Sequence, residues 1–214
     1  MLKSLGSDED LELFLKGDPR INALCLGPGL GTGARERQLV AAALASGRAC
    51  VLDADALTLI AATPELYAAL HEGCVLTPHA GEFARLFPDL AETLNAAPTT
   101  GPAFSKVDAA RDAAKRVGCT VLFKGPDTVI AAPDGRASIN SAHYDRAAPW
   151  LATAGSGDVL AGFIAGLLAR GFAPMQAAET AAWLHVECAR SFGPGLIAED
   201  LPETLPRVFR DLGL

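Results

Sequence analysis

Residues 155–158 combine small residues and an acid in a pattern suited to phosphoryl chemistry. Gly155, Ser156 and Gly157 leave backbone N–H groups accessible just before a predicted helix that begins at Asp158. Unpaired N–H groups and the positive end of a helix dipole favour a bound phosphate there. The Asp158 carboxylate can then take a proton from, or orient, a hydroxyl that attacks the phosphate. Alternatively, Asp158 is an ordinary acid of a first helical turn, where negative charge is favourable.

Upstream of this helix, apolar runs of strand length alternate with helical stretches. We predict buried strands over 21–27, 49–52 and 74–77, and helices over 8–16, 35–46, 56–62, 64–71 and from about Gly81. This alternation is typical of a parallel sheet with helices on its faces. The motifs GPGLGTG, DAD and TPHAGE directly follow the three strands, so we expect them at the carboxyl edge of the sheet, where ligands bind.

The second half of the chain has a different pattern. Residues 88–102 resemble a loop, and a helix over 106–117 and a strand over 119–124 follow. Short strands at 128–132 and 137–139, separated by a Pro-Asp-Gly turn, predict an antiparallel meander. The helix from Asp158 ends near Gly171, and the last two helices are predicted over 174–191 and 203–212. The sequence therefore predicts one α/β domain with a mostly parallel central sheet.

The composition argues against several classes of protein. The chain has 214 residues and a net charge of −7, which disfavours a nucleic-acid binder that works by bulk positive charge. Its apolar runs are too short to span a bilayer, and its acidic N-terminus is unlike a signal peptide. None of its five cysteines forms a CxxC pair, which disfavours a zinc site. We expect a cytoplasmic protein in which Cys25, Cys50 and Cys74 are buried thiols.

Five motifs carry a resemblance to a known family: GPGLGTG, VLDADAL, TPHAGEFARL, LFKGPDTVI and LATAGSGDVLAG. From about residue 8 to the C-terminus, the sequence resembles the ADP/ATP-dependent NAD(P)H-hydrate dehydratases, a branch of the ribokinase-like superfamily. The resemblance implies a ribokinase-like three-layer α/β/α fold, with residues 1–214 forming a single domain. It also implies a hydro-lyase reaction, in which a phosphoryl group from ADP, or from ATP in eukaryotic members, activates the ring hydroxyl of hydrated NADH or NADPH as a leaving group.

Further expectations follow from the resemblance. The products would be the restored reduced cofactor and phosphate, with AMP when ADP is the donor. Mg²⁺, a cytoplasmic homotetramer and a functional link to an NAD(P)H-hydrate epimerase are implied, without nucleic-acid or membrane partners. Family members usually carry a further N-terminal β-α-β portion ahead of the region that matches residue 8. We therefore expect a shortened form, a piece of a larger polypeptide or a degenerate paralogue, with a sheet edge that oligomerisation can cover.

The resemblance assigns roles to residues around Asp158 first. Asp158 would contact the substrate hydroxyl and act as base, and Gly155, Ser156 and Gly157 would form the anion hole for the transferred phosphoryl group. Nucleotide binding is assigned to Gly157 and to the KGxxT segment, which consists of Lys124, Gly125, Pro126, Asp127 and Thr128. Alternatively, Lys124 is an ordinary charged residue at a strand end. Where members often carry Asn and Gly before LATAG, this chain has DRAAPW at 145–150.

Substrate binding is assigned to Gly29, Gly31 and His79, and Mg²⁺ binding through water to Glu82. Alternatively, His79 is a capping or loop histidine and Glu82 an ordinary first-turn acid. The glycines also raise the possibility of a dinucleotide fingerprint, but GxGxxG needs a two-residue gap that the alternating glycines here lack.

Two other functions stay open from the residues alone. A small-molecule kinase of the same superfamily would apply Asp158 to a stable alcohol, although His79 stands where related kinases tend to carry Asn. A non-catalytic nucleotide-binding protein is the second alternative, but it has no use for a carboxylate beside the phosphate. Asp53 and Asp55 follow a predicted strand, and we expect them to cap the next helix or face the cleft rather than catalyse. The residues also leave open ADP or ATP as donor and NADH or NADPH hydrate as substrate.

Overall fold

The computed structural model describes residues 4–98 and 101–214. Six strands form one sheet in the order β1-β2-β3-β4-β5-β6. Their bounds are β1 Ala23–Leu26, β2 Ala49–Leu52, β3 Cys74–Leu76, β4 Thr120–Phe123, β5 Asp127–Ala131 and β6 Ala137–Ser141. Strands β1 to β4 run parallel, and β5 and β6 are antiparallel to their neighbours. The predicted parallel sheet with an antiparallel meander is confirmed.

Ten α-helices surround the sheet in the described residues. They are α1 Asp8–Gly17, α2 Ala34–Ala45, α3 Ala54–Ala62, α4 Pro64–Ala68, α5 Ala80–Leu86, α6 Pro88–Asn95, α7 Lys106–Val117, α8 Ser156–Ala169, α9 Pro174–Phe192 and α10 Asp200–Asp211. Short 3₁₀ turns occupy Tyr144–Arg146 and Pro149–Leu151. Across the described ranges, no helix combines the length and apolar character needed to cross a bilayer.

The strands place alternate side chains on opposite faces of the sheet, because successive residues of a strand point in opposite directions. Leu52 and Leu76 pack with the helices of the first half of the chain, in one buried cluster. Val51 and Val75 pack on the other face with residues of α8 and α9. The sheet therefore lies between two helical layers, as predicted.

The predicted loop over 88–102 is wrong in its first half. Helix α6 covers Pro88–Asn95, and Leu90 and Ala91 on it are buried. Proline fits the first position of a helix because its missing N–H has no intrahelical acceptor there, so Pro88 starts this helix rather than preventing it. Residues 99 and 100 of the prediction lie outside the described residues.

Strand β1 differs from the predicted buried strand. It is the end strand of the sheet in the described residues and pairs with β2. Cys25 is therefore an exposed residue, and its predicted burial is wrong. Cys50 and Cys74 lie on interior strands and are buried as predicted. An apolar run can form either an edge strand or an interior strand, so the run at 21–27 did not show which position β1 takes.

Candidate functional site

The carboxyl ends of four parallel strands meet at one edge of the sheet. The glycine-rich loop follows β1, Asp53 follows β2, His79 comes shortly after β3, and Lys124 follows β4. The N-terminus of α8 joins them, since a Cβ placed at Gly157 would lie 3.5 Å from Lys124 Nζ. Ligands bind at this edge in open α/β sheets, so the predicted site residues are brought together where expected.

Lys124 lies between two buried carboxylates. Its Nζ donates to Asp53 Oδ1 at 2.7 Å and lies 3.7 Å from Glu82 Oε2. The side chain of Lys124 is 18% exposed, that of Asp53 1% and that of Glu82 7%. Buried charges need partners because their removal from water is costly. Lys124 is therefore a largely buried cation that directly follows β4 and pairs with Asp53, and its role in nucleotide binding stays a prediction.

The side chains of Asp53 and Asp55 contact different groups. Ala54 between them adopts a left-handed backbone conformation, with a φ of 45°. A helix-capping role for the Asp53 side chain is wrong: the residue is the N-cap of α3, but its carboxylate makes no capping hydrogen bond and pairs with Lys124 instead. Asp55 Oδ2 accepts a hydrogen bond from the Gly31 N–H at 2.7 Å. Asp55 thus anchors the glycine loop, a contact that the sequence did not reveal.

The glycine loop packs directly on the end of β2. A Cβ at Gly27, where φ is +130°, would lie 1.7 Å from the Asp53 carbonyl oxygen, which only a glycine avoids. Gly29 and Gly31 adopt φ values of +61° and +90°. A Cβ at Gly29 would meet nothing within 4 Å, so the loop presents open backbone at that point.

His79 and Glu82 form the capping box of α5. His79 Nδ1 accepts from the Gly81 N–H at 2.9 Å and the Glu82 N–H at 3.3 Å, and Glu82 Oε2 accepts from the His79 N–H at 2.8 Å. The capping alternative for His79 is therefore observed. Because Nδ1 accepts hydrogen bonds, the neutral ring carries its proton on Nε2. The His79 side chain is 55% exposed and its Nε2 lies 3.5 Å from Glu82 Oε1, so the ring faces both solvent and this carboxylate.

The N-terminus of α8 offers backbone rather than side-chain donors. Its N-cap is Gly155, with φ +81°, and no side chain in the described chain caps it. Ser156 Oγ donates to the Leu151 carbonyl at 2.7 Å, and the Ser156 N–H makes a long bond of 3.4 Å to Thr153. The N–H groups of Gly157 and Asp158 lack intrahelical partners by the geometry of a helix start, and the Val159 N–H donates to the Gly155 carbonyl at 3.2 Å. The predicted anion hole is therefore an arrangement of backbone donors.

Asp158 is exposed on the first turn of α8 and forms no ion pair within residues 4–98 and 101–214. An unpaired carboxylate beside open backbone donors is free to accept a proton.

A cavity of about 580 Å³ opens beside α8. Its lining includes Lys124, the polar side chains of Thr128, Asn140 and Ser156, and the backbone of Gly125 and Gly157. The apolar lining residues are Pro126, Ala142, Ala147, Ala148, Pro149, Leu151, Ala152, Leu160, Ala182 and Val186. A cavity that combines apolar surface with a cation and backbone donors suits a planar base attached to phosphates.

His185 and His143 also line this cavity, and neither was predicted. His185 Nε2 lies 2.8 Å from the Ser156 carbonyl, and burial lowers the pKa of His185 to about 4, so the neutral ring donates this bond. His143 Nε2 lies 3.5 Å from Asp127 Oδ2, and Asp127 is not among the residues that line the cavity. A histidine without a surrounding motif gives no sequence signal that it lines a cavity.

Comparison with known proteins identifies the family. A family model described as NAD(P)H-hydrate dehydratase matches residues 1–207. The chain belongs to this family. It is 40% identical over 193 residues to the bifunctional NAD(P)H-hydrate repair enzyme Nnr of Mycobacterium leprae, covering 88% of this chain and 37% of that protein. It is 37% identical to the Nnr of Moorella thermoacetica, covering 96% of this chain and 38% of that one. The chain thus spans less than two fifths of these relatives.

Solved structures support the same assignment. The ADP/ATP-dependent NAD(P)H-hydrate dehydratase of Bacillus subtilis, co-crystallised with ATP and Mg²⁺, superposes with a TM-score of 0.68 at 26% identity, covering 96% of this chain and 76% of that one. A ribokinase-like superfamily protein of Enterococcus faecalis superposes with a TM-score of 0.74 at 25% identity, covering 95% and 68%. The predicted family and the ribokinase-like α/β fold are confirmed.

The donor set of this dehydratase-family chain fits a Mg²⁺ ion carried by phosphates. The described residues contain no cluster of three His, Cys, Asp or Glu side chains that could hold a metal. Glu82 Oε2 accepts from the His79 N–H and lies 3.7 Å from Lys124 Nζ, and the predicted contact of Glu82 with the ion through water stays a prediction. Mg²⁺ commonly keeps several waters and binds through one or two carboxylates and substrate phosphates.

Proposed function

We propose that this chain dehydrates hydrated NADH or NADPH back to the reduced cofactor, using ADP or ATP as phosphoryl donor. The observation that carries the proposal is the unpaired Asp158 carboxylate at the open N-terminus of α8, next in sequence to Ser156 and Gly157, which line the cavity. Family membership supports the reaction class, and the ATP and Mg²⁺ of the Bacillus structure support the donor.

The nucleotide would bind with its base against the apolar lining residues and its phosphates toward Lys124 and Gly157. Lys124 would contact the phosphates, with Gly125, Pro126 and Thr128 shaping the adjoining wall and Asp127 next to them in the chain. Mg²⁺, when bound, would neutralise phosphate charge, and Glu82 would hold it through water. An ammonium beside backbone N–H groups suits a nucleotide polyphosphate.

The hydrate would bind on the other side of Asp158, toward Gly29, Gly31 and His79. Asp158 would accept the proton of the ring hydroxyl as its oxygen attacks the terminal phosphorus, and the bond from phosphorus to the bridging oxygen breaks. The N–H groups at Gly155, Ser156 and Gly157 would stabilise charge on the transferred group. The phosphate then leaves with the C–O electron pair, and a neighbouring ring carbon loses a proton to restore the double bond.

A turnover assay tests the proposal. Enzymatically hydrated NADH and NADPH are incubated with the protein and Mg²⁺, separately with ADP, with ATP and without nucleotide. Recovery of reduced-nicotinamide absorbance is expected only when a nucleotide is present, and the active nucleotide identifies the donor. Binding of nucleotide without recovery on either hydrate would contradict the proposal and favour a binding protein. The bifunctional relatives support a functional link to an epimerase. Repeating the assay with the other epimer of the hydrate would test that link.

A further inference from the structure

Lys106 ties together the two ends of the turn that joins β4 to β5. It is the first residue of α7, and its Nζ donates to the Lys124 carbonyl at 3.0 Å and to the Asp127 carbonyl at 2.6 Å. Between those carbonyls lie Gly125 and Pro126, which line the cavity. One ammonium group therefore fixes the separation of the two ends of a cavity wall.

The residues around Lys106 restrict the position of its ammonium group. Nζ lies 4.5 Å from the centroid of the Phe123 ring, a cation–π distance. That ring stacks on Phe83 with centroids 4.1 Å apart, so it is itself held in place. A Cβ at Gly125 would lie 2.7 Å from Lys106 Nζ, so the absence of a side chain there admits the ammonium. The position of the Lys106 ammonium thus depends on Phe123, Phe83 and Gly125.

Two further hydrogen bonds hold the same turn. Within it, Thr128 Oγ1 donates to the Gly125 carbonyl at 2.9 Å, and at its start the Lys124 N–H donates to the Pro78 carbonyl at 2.8 Å. Lys106 completes this set by engaging the carbonyls on either side. Among the described residues, Lys106 is not part of the cavity wall, so its effect on a ligand would act through the turn.

We propose that Lys106 is a positioning residue that holds the Lys124–Thr128 turn in the shape that receives the nucleotide phosphates. This inference rests on the proposed function, because it assigns the turn to nucleotide binding. Charged donors to carbonyls are stronger than neutral ones, so loss of the ammonium should loosen the turn while the remaining fold persists. The effect should fall on the nucleotide and spare the hydrate, which is proposed to bind near the glycine loop.

The test compares Lys106→Met, which keeps the aliphatic stem, with Lys106→Arg, which keeps the charge. Lys115→Met is the matched control, since Lys115 is an exposed lysine on the same helix. For each protein, the dissociation constant for ADP is measured by calorimetry, and KM for ADP, KM for the hydrate and kcat are measured by absorbance. We expect Lys106→Met to weaken ADP binding and raise its KM roughly tenfold, with the KM for the hydrate changed less than about twofold. Lys106→Arg should recover most of the affinity.

Several results would overturn the inference. One is an unchanged dissociation constant for ADP in Lys106→Met; another is an equal rise in both KM values, which would indicate general damage. If Lys106→Met fails to fold, Lys106→Gln is measured in the same way and the same outcomes decide. If the wild type binds ADP but does not turn over the hydrate, the proposed function fails, and the ADP affinities still decide the role of Lys106. If the wild type binds ATP rather than ADP, the same measurements are made with ATP; if it binds neither nucleotide, both proposals fail.

Discussion

Replacement of His185 by glutamine should make the protein more resistant to acid. His185 is 7% exposed on α9, and burial lowers its pKa from 6.5 to about 4. Between these values, the unfolded chain binds a proton that the folded chain excludes. The contribution of the neutral histidine to stability is therefore present above pH 6.5 and is lost as the pH falls toward 4. A shift of about 2.5 pKa units corresponds to about 3 kcal/mol of unfolding free energy.

The assay is urea unfolding of the wild type and His185→Gln at a series of pH values between 8 and 4. From pH 7 to pH 4, the wild type should lose about 3 kcal/mol more unfolding free energy than the variant, and about 2 kcal/mol of that should be lost by pH 5. Acidic groups protonate in both proteins, so the difference isolates His185. Between pH 7.5 and 8 the two curves should be parallel, which serves as the internal control. Curves that stay parallel down to pH 4 would refute the assignment of a buried, neutral histidine.

Three further substitutions test the site and the loop that supports it. Asp158→Asn should leave ADP affinity within about twofold and lower turnover by about 100-fold or more; wild-type turnover in the hydrate assay would contradict its role as base. Lys124→Ala should weaken ADP binding and lower the unfolding free energy by about 3–5 kcal/mol, because Asp53 remains buried without its cation; a loss below about 1 kcal/mol in urea would contradict the buried pair. Gly27→Ala should cost more than about 2 kcal/mol because its Cβ meets the Asp53 carbonyl, while the control Gly29→Ala, which meets only open space, should cost about 1 kcal/mol; equal costs would disprove the close approach.

The positions of the motifs could be predicted because each lies next to an element with a strong local pattern. The glycine-rich loop, the DAD motif and the TPHAGE motif all follow apolar runs, and parallel strands bring their carboxyl ends together. The start of α8 was predicted at Asp158, two residues after its observed start at Ser156, from the glycine turn and the helical apolar pattern that follows it. Helix α6 was not predicted because the residues after it are rich in alanine, threonine, glycine and proline. That composition is typical of a loop and was extended to the whole segment. Its proline stands at the one helical position that tolerates it.

The contacts within the site could not be predicted, because they join residues that are distant in sequence. Lys124 and Asp53 are 71 positions apart, and Lys106 reaches carbonyls 18 and 21 positions away. Neither pair has a motif or a period that would link its members. The exposed Cys25 was missed for a related reason, since an apolar strand does not indicate whether a neighbour covers it.

His79 shows why a structural and a functional interpretation of one residue need not compete. Its Nδ1 accepts two backbone N–H groups at the start of α5, which is a capping role. That same pair of bonds fixes the ring, whose Nε2 lies 3.5 Å from Glu82 Oε1 while the side chain is 55% exposed. A substrate would therefore meet a ring whose orientation the cap has already set. Glu82 completes the box through the His79 N–H and also lies near Lys124, so one short helix start sets the geometry of a donor, a carboxylate and the neighbouring cation together.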